Sequence, residues 1–382
     1  MHNEQGMGFG RAASRMAVPF AAYALLLLLC FILAIGFKQS ANEGGEIPLP
    51  SADSLYQAWK GVSTAGDGGW YMSIARDGYE RAPVDASGQH NWAYFPGYPL
   101  LLKLTGIQIV PALLANALFA FLGYTLLRMH VARYFDVATA DAAVVFLIFF
   151  PFSKSLFALR PEALIFLCWC AALVAWSSGR KNLAIGVTAL AVLLKPEGLA
   201  ILAYFFIDEV QAMRREGFRL SRYARLAIPL LPVVGYSLYI HALTGDPLAW
   251  AKAQAAWGSE LFTQPWEQTL QLLDTPMLVG RWGWDFLFVN AICSVAGVAL
   301  IVAAALRPAL RPAAAFGAAI FLLSFLNFGY WQMARHLAVA PTMALGFAAL
   351  PERLRNGLSP LFIGLGAVTL YLFAAGAQSV LT

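Results

Sequence analysis

Asp67 opens the most distinctive string in the chain, Asp67-Gly68-Gly69-Trp70-Tyr71-Met72-Ser73-Ile74-Ala75-Arg76-Asp77-Gly78-Tyr79. A carboxylate held beside a reacting hydroxyl can take its proton, which is the work of a general base. Downstream, Asn91-Trp92-Ala93-Tyr94-Phe95-Pro96-Gly97-Tyr98-Pro99 is aromatic and broken by proline. Its rings, Trp92 and Tyr94 among them, can stack on a sugar face or form the aromatic belt of a membrane protein. Lys195-Pro196-Glu197-Gly198 interrupts an apolar stretch with 12 residues before it and nine after. At about 1.5 Å per residue those legs reach only ~18 and ~14 Å, short of the ~30 Å of a bilayer core. Lys195 and Glu197 are therefore recessed, and charges at such depth mark a candidate functional site. Arg160-Pro161-Glu162, with Lys154 nearby, and Arg335-His336 repeat the theme in other turns.

An interfacial carboxylate with several recessed cations suits a lipid-linked phosphosugar. Arg and Lys would hold the phosphate, the lipid tail would lie between helices, and the carboxylate would deprotonate an acceptor. Blander roles remain open for each group. Asp67 is also a natural helix N-cap, Trp70 and Tyr71 natural membrane anchors, and Glu162 and Glu197 natural ion-pair partners of Arg160 and Lys195.

These residues need elements to carry them. Of 382 residues, 60% are hydrophobic and 12% charged, where a soluble domain averages about 25% charged. With a mean hydropathy of +0.64, the chain has too little polar surface for a soluble globule, a disordered tail or a disulfide-stapled module. An all-α polytopic membrane protein is predicted. Eleven spans are expected, near 17–37, 108–127, 137–152, 161–176, 183–194, 198–210, 226–243, 286–305, 313–328, 337–350 and 359–378, the first an uncleaved anchor.

The net charge of +5 reports loop topology rather than nucleic-acid binding. With the N-terminus cytoplasmic, 15 of the 26 Lys and Arg fall in inside segments, while the longer outside segments mix bases with acids. Asp67, Arg160, Glu162, Lys195, Glu197, Arg335 and His336 then share the outer side. One membrane domain over 1–382 is expected, with two large outer loops, 38–95 and 244–285, the first carrying an amphipathic helix at the interface that starts at Asp67 and stops at Gly78. Cys30, Cys168, Cys170 and Cys293 lie in apolar runs without metal-ligand spacing and are expected to be buried thiols.

Taken in order, Asp67-Gly68-Gly69-Trp70-Tyr71 with Asp77-Gly78-Tyr79, Phe95-Pro96-Gly97-Tyr98-Pro99, Lys195-Pro196-Glu197-Gly198 and Arg335-His336 resemble the PIG-V-type mannosyltransferases of the GT-C class of multi-span glycosyltransferases. Gly66 stands where many relatives carry Trp, and Arg160-Pro161-Glu162 where a Thr/Ser-Glu-Ser type of turn is expected. The resemblance implies inverting transfer of a sugar, typically mannose, from a polyprenyl-phosphate donor to a lipid or glycan acceptor on the non-cytoplasmic face. Asp67 would be the base. Trp70, Tyr71, Trp92, Tyr94, Arg160, Glu162, Lys195, Glu197, Arg335 and His336 are then the expected substrate-binding residues, with no cofactor or metal. A bacterial inner (plasma) membrane is the expected location. A transporter or flippase for lipid-linked sugars is the alternative.

Overall fold

The structure is a computed structural model and describes residues 8–43, 48–64, 66–81, 88–257, 266–267, 269–270, 289–330 and 332–376. Among these, helices and turns account for all regular structure.

After the long entry helix α1 (Phe9–Glu43), the described residues form α2 (Ala52–Thr64), α3 (Asp67–Asp77) and α4 (Gly97–Leu104). The central run is α5 (Ile109–Val131), α6 (Val137–Ile148), α7 (Glu162–Ser177), α8 (Lys181–Leu194), α9 (Leu202–Glu216), α10 (Leu220–Ala224) and α11 (Leu231–Thr244). After α12 (Ala249–Lys252), the last described elements are α13 (Val289–Ala305), α14 (Arg311–Phe328), α15 (Met333–Ala338), α16 (Pro341–Ala349) and α17 (Glu352–Gly376).

The stretches expected to span are helical over most of their described length, with turns at 149–152 and a break within 337–350. Among the described residues, five helices are long and apolar enough to cross a membrane: Phe9–Ser40, Ile109–Val131, Leu220–Thr244, Pro308–Phe328 and Glu352–Ala374. The others are shorter for visible reasons. Pro196 ends α8 and starts a 3-10 turn, Pro196–Ile201, before α9, because proline has no amide to donate to the preceding turn. The stretch 337–350 is likewise split, with α15 ending at Ala338 and α16 starting at Pro341. Most of the second outer loop, and residues 286–288 of the eighth expected span, lie outside the described residues.

The core is built by close helix pairs. α7 packs between α5 and α8, and Gly123 of α5 permits the approach, since a Cβ there would stand 2.6 Å from the Phe166 ring. Phe146 of α6 stacks on Phe347 of α16 with centroids 4.2 Å apart, placing α16 wholly in the interior. The four cysteines are buried and unpaired.

α3 forms where the sequence predicts it, with two differences. Its N-cap is Gly66, at φ 59°, so Asp67 sits inside the first turn and its carboxylate is released from capping. Its apolar face, Tyr71, Ile74 and Ala75, is buried in the protein core, so the helix packs inward against α4 and α2. Gly78 stops it as expected, at φ 84°, its amide donating to the Ile74 carbonyl.

Candidate functional site

Asp67 is placed by its glycines. A Cβ at Gly68 would stand 1.9 Å from the Ser63 carbonyl and 3.3 Å from that of Leu159, and one at Gly69 would stand 2.8 Å from the Thr64 carbonyl. Only glycine lets α3 start against the end of α2 and the turn before α7. Asp67 is thereby set beside Arg160. That turn is pinned by Asn116 of α5, whose amide donates to the Ala158 carbonyl at 2.5 Å and the Tyr98 hydroxyl at 2.9 Å. Pro161 and the start of α7 then fix Glu162 in the first helical turn, where a carboxylate suits the helix dipole.

Arg335 and His336 ride on α15, whose first turn is held by Asn290 of α13 accepting the Ala334 amide at 2.8 Å. From there Arg335 reaches two carboxylates. Its Nη2 donates to Asp67 Oδ2 at 2.7 Å and its Nε to Glu162 Oε1 at 2.6 Å, with Nη2 also against Glu162. Nη1 donates to Gln332 at 3.2 Å. Arg160 Nε stands 4.0 Å from Asp67 Oδ2, too far for a hydrogen bond, and is a buried donor without a partner. Glu162 keeps one buried oxygen, Oε2, equally unpartnered.

Lys195 leaves α8 in an extended conformation at φ −166°, so its side chain departs from the helix line. Gly198 folds the turn back, since a Cβ there would meet the Ala191–Val192 peptide at 2.5–2.7 Å. The ammonium pairs with Glu197 at 3.1 Å and stands 3.4 Å from His336 Nε2. His336 Nδ1 is 2.5 Å from Ser324 Oγ. Lys195 has only protons to give, so Nε2 accepts and Nδ1 carries the proton toward Ser324.

The electrostatics follow from this crowding. Burial works to raise the Asp67 carboxyl, but the charges of Arg335, Arg160 and Lys195 outweigh it and hold the group well below the usual carboxylate range. Burial, followed by Lys195 and Arg335, drives His336 well below its ordinary value and keeps it neutral. Burial and the neighbouring Asp67 charge push the Tyr94 phenol up, so Tyr94 stays a donor, to Asp67 Oδ1 at 3.3 Å.

Asp67, Tyr71, Tyr94, Lys195, Glu197, Arg335 and His336 line one cavity of about 640 Å³. Glu162 and Arg160 stand behind it and act on it through Arg335 and Asp67. Three acids and three bases share the cluster, with His336 neutral. Its cations are therefore largely compensated, Lys195 by Glu197 as the sequence allowed and Arg335, not Arg160, by Glu162; Arg160 is the one whose guanidinium makes no hydrogen bond to a carboxylate among the described residues.

Two expected residues, Trp92 and Trp70, stand elsewhere, as does the neighbouring Lys154. Trp92 is fully buried in a second apolar cluster with Phe95, Tyr236 and Ile240, its indole donating to the Glu80 carbonyl at 2.9 Å and its ring stacked on His90. It offers no face to a ligand. Trp70 stacks behind Tyr94 at 6.0 Å and supports that ring from outside the cavity lining. Lys154 lies over the rings of Phe152 and Phe373, against α17 instead of the cavity.

The cavity also exposes residues that the sequence reading passed over. Trp169, Trp250, Gln254, Ser324 and Gln332 line it. Trp250 is held by a hydrogen bond to Ser237 at 2.9 Å and stands edge-on to Phe95. Gln254 donates to the Ala93 carbonyl, and Tyr236 to those of Trp92 and Tyr94, so the Tyr94 wall is braced from behind. Buried Asn116 and Ser324 carry a usable signal, a polar residue inside an apolar run; the tryptophans carry none. Among the described residues no group of three or more His, Cys, Asp or Glu is placed to hold a metal ion.

No family model matches the chain, and no curated protein matches its sequence. Solved structures of the Archaeoglobus fulgidus oligosaccharyltransferase are similar to it. The form with zinc and sulfate shows 16% identity and a TM-score of 0.42 over 93% of this chain and 53% of that one. The apo form shows 13% and 0.44 over 94% and 56%, and the form tethered to an acceptor peptide 14% and 0.40 over 94% and 55%. The chain thus spans about half the length of the structures it matches.

Proposed function

We propose that the chain is an integral-membrane glycosyltransferase of the GT-C type, moving a sugar, mannose for preference, from a polyprenyl-phosphate donor to a lipid or glycan acceptor. The observation that carries this reading is a single cavity in which an ionised carboxylate, Asp67, lies against Arg335 and near Arg160 and Lys195. An acceptor hydroxyl attacks the sugar C1, the bond from C1 to the phosphate oxygen breaks with inversion, and the hydroxyl proton passes to Asp67. The departing phosphate takes its counter-charge from Lys195 and Arg335, which line the cavity, with Arg335 swinging partly away from its two carboxylates and Arg160 adding its charge from behind Asp67. Tyr94 and Trp250 present rings for the sugar face. The eleven helical stretches are spans of one membrane domain in a bacterial inner membrane, with the N-terminus cytoplasmic and the cavity open to the other face. Catalysis needs no cofactor or metal.

Purified protein in liposomes, supplied with labelled polyprenyl-phosphate mannose and candidate acceptors, tests the reading. Product should form. Asp67→Asn should lower turnover by about 10²- to 10⁴-fold, the usual worth of a positioned base, while the folded variant still binds donor. Translocation of the label without product would show a carrier in place of an enzyme, and full activity in Asp67→Asn would remove the base.

A further inference from the structure

The imidazole of His336 is tied at both of its nitrogens. Gly329, at φ 58°, ends α14 and turns the chain back toward it, so that α15 sets the ring between Ser324 of α14 and Lys195. Nδ1 stands 2.5 Å from Ser324 Oγ and Nε2 stands 3.4 Å from Lys195 Nζ. Ser324 and His336 are both buried. Among the described residues, Ser324 is the only hydrogen-bond partner of Nδ1.

A neutral imidazole has one proton and one lone pair to place, and an ammonium has three protons and no lone pair. Facing Lys195, Nε2 is therefore the acceptor, and the ring proton sits on Nδ1, where the Ser324 oxygen receives it. One ammonium proton goes to Glu197 at 3.1 Å and a second to His336. The third is left for the cavity, which Lys195 lines. Without the serine oxygen, Nδ1–H would be a buried donor with nothing to receive it, which is costly. The proton would then move to Nε2, where it opposes the ammonium and drives it off its present position.

We propose that Ser324 is a positioning residue: by accepting the Nδ1 proton of His336 it makes Nε2 the acceptor for Lys195 and fixes the ammonium with its third N–H toward the departing phosphate. The proposal rests on the transferase reading and gives His336 a supporting task, holding Lys195 in place of touching the substrate. Ser324 would then act on the phosphate from two side chains away.

The full chain in nanodiscs, titrated with labelled undecaprenyl phosphate, tests the chain of contacts, since that lipid carries the group which leaves. Ser324→Ala removes one oxygen and little volume. It should weaken binding about tenfold, the contribution of a hydrogen bond to a charged group. In a Lys195→Met background the same change should add less than about twofold, because coupled residues are not additive. In a His336→Gln background it should also add less than about twofold, since an amide can turn its oxygen to Lys195 whatever position 324 offers. Unchanged binding in Ser324→Ala overturns the proposal. So does a full tenfold loss on top of Lys195→Met, which would show that the hydroxyl supports packing alone. Transfer by wild type with labelled polyprenyl-phosphate mannose is measured beside the titrations. The expected binding pattern without transfer would overturn the transferase reading and leave the contacts as a phosphate site; wild type that does not bind the lipid phosphate overturns both.

Discussion

Arg335 is the residue on which the cluster turns. It pairs with Asp67 and Glu162 at once, so removing it leaves two carboxylates in a desolvated place without their shared partner. Arg335→Gln is expected to cost about 3–5 kcal/mol of stability, the usual penalty for breaking a buried pair, read as a lowered Tm in detergent. The same change should alter the pH response. In the intact site Asp67 titrates far below the usual carboxylate range, so its stabilising contribution is complete above the ordinary carboxyl value of about 3.9. It is lost only as pH falls through the depressed value. The acid limb of kcat/KM in wild type should accordingly be absent between pH 8 and 5. In Arg335→Gln, burial becomes the dominant influence and an acid limb should move up into that window; a profile identical to wild type would show that Arg335 does not set the charge of Asp67. The charged members of the cluster were legible in the sequence because charge is costly where the sequence placed them. Of their pairings, Lys195 with Glu197 was readable as an option, but Glu162 pairs with Arg335 where the sequence offered Arg160. Nothing in the spacing of Glu162 and Arg335 reveals that they meet across 173 positions, and Trp92 looked like a sugar platform because its type, unlike its burial, is written in the sequence.

Elements, more than side chains, decide where the base stands. α3 can begin against α2 only because position 68 lacks a Cβ. Gly68→Ala forces backbone against backbone, with no flexible side chain to yield. It is expected to cost about 1–3 kcal/mol as overpacking does, and to depress transfer further by moving Asp67 off Arg335. Near-normal activity would show that the α2–α3 seam is more compliant than its geometry suggests. Asn116→Ala is the companion test from α5. It removes the side-chain donor from the Ala158 carbonyl, which keeps the Arg160 amide at 2.8 Å, at a cost of about 0.5–1.5 kcal/mol, and should loosen Arg160, raising KM for donor more than it lowers kcat. Element positions were readable from apolar run length and from Pro196 and Gly78, whereas the break at Pro341 falls inside a stretch expected to be continuous. α2 was not foreseen, because its apolar residues are few and its role is to support α3. The inward turn of α3 was missed for a related reason: an amphipathic stripe says that one face is covered, but not whether lipid or protein covers it.

At the scale of the molecule, charge gathers at opposite ends of the same helices. α5 binds the cavity turn through Asn116 near its start and carries Arg128, paired with Asp141 at 2.5 Å, near its end. The two positions are about 18 Å apart along the axis. α8 begins at Lys181, on buried Glu209 at 2.8 Å, and ends beside Lys195. The end with Arg128, Lys181, Arg222 and Arg225 is the one that the distribution of basic residues assigns to the cytoplasm. Single-cysteine variants at Arg219 and Lys103, both exposed, should therefore label from opposite sides of sealed vesicles. Labelling from one side would break the topology on which a shared outer cavity depends. That convergence of Asp67, Lys195 and Arg335 on one hollow is the central claim, and a structure of the Asp67→Asn protein with polyprenyl-phosphate mannose tests it most directly. The account requires the phosphate beside Lys195 and Arg335, with the sugar C1 facing position 67; a headgroup bound elsewhere while the cavity stands empty would contradict it.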